Sequence, residues 1–224
     1  MRSAFIIVIS TIIIFATIAY IARPDLLIID TPISFSEKRT NLTKSYILEH
    51  YDLNVSTIDI DPKMIVLHWS EDESLELTFE MFNRETIDQN WSQVTAAGQV
   101  NVSAHFLVDK KGAIYRMMPE TKMARHVIGL NYHAIGIENI GGADHNDTMT
   151  PQQKEANINL VAYLKNKYPK IEYLIGHYEY TQFENHPLWM EKNVSYRTIK
   201  DDPSPEFVYA VYQKTKKLGL KRAP

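Results

Sequence analysis

The sequence predicts a single α/β domain, and three stretches carry that prediction. Residues 64–67 (Met-Ile-Val-Leu) form a continuous apolar run after Asp61-Pro62, as expected of a strand buried on both faces. Thr150-Pro151-Gln152-Gln153 opens a long helix, with Thr150 as cap, Pro151 at the first helical position and Gln153 closing a capping box. Residues 171–175 are a further strand, apolar from Tyr173 on, just beyond the end of that helix at Tyr168-Pro169. Strand and helix in alternation point to a sheet with helices packed on it. A chain of 224 residues supports one good core and little more.

From Ala4 to Ala22 there is no charge, and Arg2 and Arg23 flank the run. Residues 1–22 therefore read as an N-terminal apolar helix outside the fold, either a membrane anchor or a signal peptide. The run exceeds the roughly 7–15 residues of a signal core and reaches the roughly 17 of a membrane span. Thr17-Ile18-Ala19 is nevertheless an acceptable cleavage site. Both readings export the remainder of the chain, to the periplasm or cell envelope. Residues 23–44, with Pro24, Pro32 and little periodicity, read as a linker, and 45–224 as the folded domain.

Residues 64–67 deliver His68 to a strand's carboxyl end, where α/β sheets place ligands. Asp72-Glu73-Ser74 opens a helix with Leu75, Phe79 and Phe82 on one face. Residues 102–108 and 113–118 form a hairpin around Asp109-Lys110-Lys111-Gly112, in which Gly112 can take positive φ. Residues 134–140 are a strand with Ile135 and Ile137 on one face and Glu138 on the other. The 150s helix has Ala156, Leu160, Val161 and Leu164 as its apolar stripe. Residues 178–199 are an aromatic-rich insertion, open to two readings: a wall of a substrate cleft, or rings that pack the insertion onto the body. Residues 207–218 end the chain as a helix with a basic, solvated tail.

Composition narrows the function. A net charge of −3 gives no reason to expect nucleic acid as a partner. There is no cysteine, so any metal site uses His, Asp or Glu. His68 and His177 each come directly after a buried apolar strand. The stretch 196–205 packs Lys200, Asp201, Asp202, Pro203 and Pro205 together. Two strand-end histidines and one carboxylate from a stiff loop make a three-ligand zinc set with an open fourth position. His50 and His145 have no such context and read as structural or solvated.

Five stretches come in a recognisable order: Ile65-Val66-Leu67-His68-Trp69-Ser70, the hairpin from Val102 to Tyr115, Ala134-Ile135-Gly136-Ile137-Glu138, Ile175-Gly176-His177 and Lys200-Asp201-Asp202-Pro203. Over about residues 60–207 the chain resembles the zinc-dependent N-acetylmuramoyl-L-alanine amidases, which are related to phage lysozyme-type amidases and peptidoglycan recognition proteins. The resemblance implies a mixed central sheet flanked by helices, with zinc (Zn2+) in a surface groove. It implies His68, His177 and Asp202 as zinc ligands, with Asp202 chosen over Asp201 by the Lys-x-Asp-Pro spacing. Glu138 is implied as general base and Lys200 as the cation facing the oxyanion. The reaction implied is hydrolysis of the amide between N-acetylmuramic acid and L-alanine in peptidoglycan or muropeptides.

Ala104 stands where phage-type members carry a tyrosine, and Arg125 where a tryptophan is usual. The stretch between His177 and Asp202 is longer than the family pattern has. His105, His126, Trp69 and Trp189 are expected as substrate contacts. The alternative from another class is a module that binds muropeptide without cutting it. A weaker alternative is a zinc hydrolase acting on another amide.

Overall fold

The structure is a computed structural model, and it describes residues 26–88 and 97–224. The N-terminal run 4–22 lies outside the described residues. Among those described, no helix is long and apolar enough to cross a membrane.

Six strands form one mixed sheet. They are β1 (Ile28–Asp30), β2 (Met64–Trp69), β3 (Phe106–Val108), β4 (Ile114–Arg116), β5 (Ala134–Asn139) and β6 (Tyr173–Gly176), in the order β1-β4-β3-β5-β2-β6. Only the β3–β4 hairpin pairing is antiparallel; the other four pairings are parallel. In the hairpin turn Gly112 has φ +82°, and a Cβ there would stand 2.8 Å from the Gln152 carbonyl oxygen. Both the backbone angle and the close approach require glycine. Strands β5 and β2 inside the sheet, and β6 at its edge, lie mostly out of water, which is why their sequences are largely apolar.

Two helices cover one face. Helix α3 (Pro151–Lys167) starts with the expected capping box at Thr150 and Gln153, and α4 (Pro205–Thr215) has Ser204 as its cap and proline at its start. Leu160, Val161 and Leu164 of α3 and Val208 and Val211 of α4 pack on Ile65, Leu67, Ile135 and Ile137 of the sheet. Strand alternation then sends Met64, Val66 and His68 to the opposite face, together with Ala134, Gly136 and Glu138. Val66 and Gly136 are partners in register, and so are His68 and Glu138. A histidine and a carboxyl group thus stand side by side at the end of two adjacent strands.

The folded part begins earlier than Lys44. Strand β1 pairs with β4, and α1 (Glu37–Tyr51) is capped by Ser36, so β1 and the first half of α1 fall inside the stretch expected to be a linker. Helix α1 hides from pattern reading because its buried face mixes Arg39, Thr43 and His50 with Tyr46, Ile47 and Tyr51. Arg39 reaches from it to the carbonyls of Phe82 and Arg84, tying α1 to the end of α2 (Leu75–Asn83). The last helix begins at Pro205 rather than 207 and continues as a short 3-10 turn over Lys216–Leu218.

Candidate metal centre and active-site groove

Three side chains from three places meet on the face that α3 and α4 leave open. His68 lies near the end of β2, His177 comes directly after β6, and Asp202 precedes α4. All three are buried, and their donor atoms lie within 4.8 Å of one another. His68 Nδ1 and His177 Nδ1 are 3.0 Å apart. Asp202 Oδ2 stands 3.3 Å from His68 Nδ1 and 3.1 Å from His177 Nδ1. Donors bound to one tetrahedral zinc at bonds near 2.0–2.2 Å are separated by about 3.3 Å. Two imidazoles and a carboxylate at this spacing therefore fit a zinc ion, and they fit it without rearrangement.

The turn carrying Asp202 is returned to the site by the insertion itself. The Tyr178 N–H, one residue past His177, donates to the Asp202 carbonyl at 3.0 Å. Tyr180 clamps Thr198: its hydroxyl donates to the Thr198 carbonyl at 2.6 Å and accepts from the Thr198 N–H at 2.9 Å. Burial pushes the Asp202 carboxyl up, but the two imidazoles beside it, His177 first and then His68, outweigh that and hold it well below the ordinary carboxylate range. Asp201, passed over as a ligand in favour of Asp202, is exposed but paired, with its Oδ2 2.9 Å from His145 Nδ1.

A groove of about 280 Å³ opens over the three donors. Its lining includes Glu138, Lys200, His126 and Ser103, with Met81, Phe82, Val102 and Ile128 as an apolar wall. Burial, reinforced by the Asp202 charge, pushes the Glu138 carboxyl well above the usual range, and the Lys200 ammonium opposes that shift. Glu138 is thus biased toward holding a proton beside the cluster. The groove also takes in Tyr46 of α1, Arg125 and Tyr196. Sequence reading does not single out Tyr46; Arg125 is hinted at only by standing in the place of a tryptophan, and Tyr196 by belonging to the aromatic insertion.

The four expected substrate contacts are placed differently from one another. His126 lines the groove. Trp69 also borders it, but its ring is buried and packed over Gly142, where any Cβ would collide with it. Trp189 does not line the groove. Its ring lies on Gly129, where a Cβ would come within 2.7 Å, with Tyr180 stacked on it and Arg197 across it. Of the insertion's rings, Tyr196 reaches the groove, while Tyr180 and Phe183 sit in the core behind Val66 and Ile175. The insertion is therefore mainly packed rather than a sugar-stacking wall.

His105 is not a contact either. It is fully buried, accepting from the Gly136 N–H through Nδ1 and reaching the Lys122 carbonyl through Nε2. Burial, only partly offset by the Lys122 carbonyl, holds its pKa down at about 4. The unfolded imidazole takes its proton near 6.5, so between these values the unfolded state binds more protons. Stability present above pH 6.5 is therefore lost as pH falls from 6.5 to 4, by roughly 3 kcal/mol from this group. His105→Gln is expected to lose less stability than the native chain between pH 7 and 4.5 in urea titrations. Equal losses would contradict the assignment.

Fold and donor set together define a class: an α/β domain with three convergent donors that could hold a metal ion, in a groove on the open face of its sheet. The chain matches the N-acetylmuramoyl-L-alanine amidase family over residues 59–205 and belongs to that family. Its fold is similar to that of the N-acetylmuramoyl-L-alanine amidase LysC from Clostridium intestinale URNW, at 23% identity and a TM-score of 0.52, covering 87% of this chain and 99% of that one. It is also similar to AmpD, at 22% identity and a TM-score of 0.50, covering 83% of this chain and 92% of that one. No curated protein sequence matches.

Proposed function

We propose that this protein hydrolyses the amide joining the lactyl group of N-acetylmuramic acid to L-alanine in peptidoglycan or muropeptides, with zinc held by His68, His177 and Asp202. The observation that carries the reading is the buried convergence of these donors beside Glu138 in one groove, in a chain of the amidase family. Zinc, when bound, supplies a Lewis acid and lowers the pKa of water toward about 7. With the Lys200 ammonium and a bound zinc offsetting its burial, Glu138 in its carboxylate form would take a proton from the attacking water and pass it to the alanine nitrogen as the C–N bond breaks. Lys200 presents its ammonium to the carbonyl oxygen on which charge develops. The apolar wall of Met81, Phe82, Val102 and Ile128 keeps bulk water from the reacting carbonyl.

Catalysis is favoured over mere recognition by Glu138. A binding module has no use for a buried carboxyl group beside three metal donors. On the strength of the uncharged run 4–22 we place the activity at the cell envelope. The test is digestion of purified sacculi by the zinc-loaded protein, with and without a chelator, and products identified by mass. Stem peptides with a free L-alanine amine are expected, lost with chelator and restored by zinc. Intact muramoyl–alanine bonds in the presence of zinc would overturn the reading.

A further inference from the structure

His126 stands behind His68, on the side away from the three donors. His68 Nδ1 faces His177 and Asp202, while His68 Nε2, across the ring, is 3.0 Å from His126 Nδ1. His126 Nε2 points to the Ala134 carbonyl at 3.5 Å, and a carbonyl only accepts. His126 Nδ1 is thus the bare nitrogen and takes the proton of His68 Nε2. That leaves the lone pair of His68 on Nδ1, where the metal donors converge.

The support beneath His126 is built for this contact. Its ring lies against Gly136, where a Cβ would stand 2.8–3.0 Å from three of its ring atoms. The strand on either side carries Ala134 and Glu138 on the same face, so the missing side chain at 136 makes the space. The His126 and Val127 N–H groups both donate to Asn131 Oδ1, at 2.8 and 2.7 Å, and Asn131 is tied to the Tyr51 hydroxyl. His105, whose ring centroid lies 5.9 Å from that of His126, holds the Gly136 backbone by accepting its N–H.

We infer that His126 is a positioning residue for the metal centre: by accepting from His68 Nε2–H it selects the tautomer and ring orientation in which His68 offers Nδ1 to zinc. This rests on the proposed zinc reading and adds a role that substrate contact would not require. Histidine ligands are ordinarily oriented by such a partner, whose loss costs about 10–100-fold in metal affinity.

The experiment measures the zinc dissociation constant by competition with a chromophoric chelator, alongside thermal unfolding. His126→Ala is expected to bind zinc about 10–100-fold more weakly. His126→Asn, whose Oδ1 sits where Nδ1 sat, is expected to recover most of the affinity. Gly136→Ala alters no polar group but pushes the ring aside, and is expected to weaken zinc as the alanine variant does. Should His126→Ala fail to fold, the asparagine and Gly136 variants decide. Native affinity in a folded His126→Ala or Gly136→Ala, or an asparagine variant as weak as alanine, overturns the inference. Failure of the native chain to bind zinc would instead overturn the proposed function.

Discussion

His68→Ala is expected to lose bound zinc and to lose hydrolysis with it, by at least about 10³-fold. The reason lies in the donor count. With no cysteine in the chain, the described residues offer one buried three-donor group, and removing a member leaves two. The variant also leaves Asp202 buried with His177 as its remaining partner in the cluster, so a loss of stability accompanies the loss of metal. His177→Ala should behave alike. Asp201→Ala is the control that separates position from charge. Its carboxylate is exposed and faces His145, so metal content and rate should stay near native. Metal analysis of the purified variants checks both. Stoichiometric zinc in His68→Ala, or zinc lost in Asp201→Ala, would show that the ligand set is wrong.

The same geometry explains how much of the protein is legible from the chain alone. Strands β2, β5 and β6 can be read because a strand sheltered on both faces is largely apolar, and α3 because its cap is spelled out in four consecutive residues. Strand β1 cannot be read, since three residues at a sheet edge leave no period to detect. Helix α1 escapes for a different reason. Its buried Arg39 and His50 are satisfied by partners far away in sequence, among them the Arg84 carbonyl and Glu191, and no local pattern records those partners.

At the site, histidines at strand ends and a carboxylate-bearing loop point to the donor types, and the family resemblance is what singles out Asp202 from Asp201. The path that returns Asp202 depends on Tyr178 and Tyr180 gripping residues about twenty positions on, and only the folded chain shows it. Trp189 illustrates the opposite error. An aromatic ring near a site suggests a sugar platform, yet this one is consumed by a glycine that lets it close onto the body. His126 stands out in the sequence only as a candidate groove residue. Its contact with His68 depends on the empty space over Gly136, which no reading of residue types reveals.

Glu138→Gln should separate binding from turnover. Glutamine keeps the shape and the strand register opposite His68, and Glu138 is not among the three convergent donors, so zinc content is expected to remain native. What disappears is a group able to accept and then return a proton. General acid–base groups contribute about 10²–10⁴-fold, and turnover should fall by that amount. Stability should not fall with it. Burial and the Asp202 charge already disfavour the ionised form of Glu138, so a neutral amide relieves an unfavourable charge rather than breaking an ion pair. The variant is therefore expected to be as stable as the native protein or more so. Loss of activity with zinc and melting temperature retained would assign Glu138 to proton transfer. Turnover close to native would remove Glu138 from the chemistry and leave the metal centre and Lys200 to account for it.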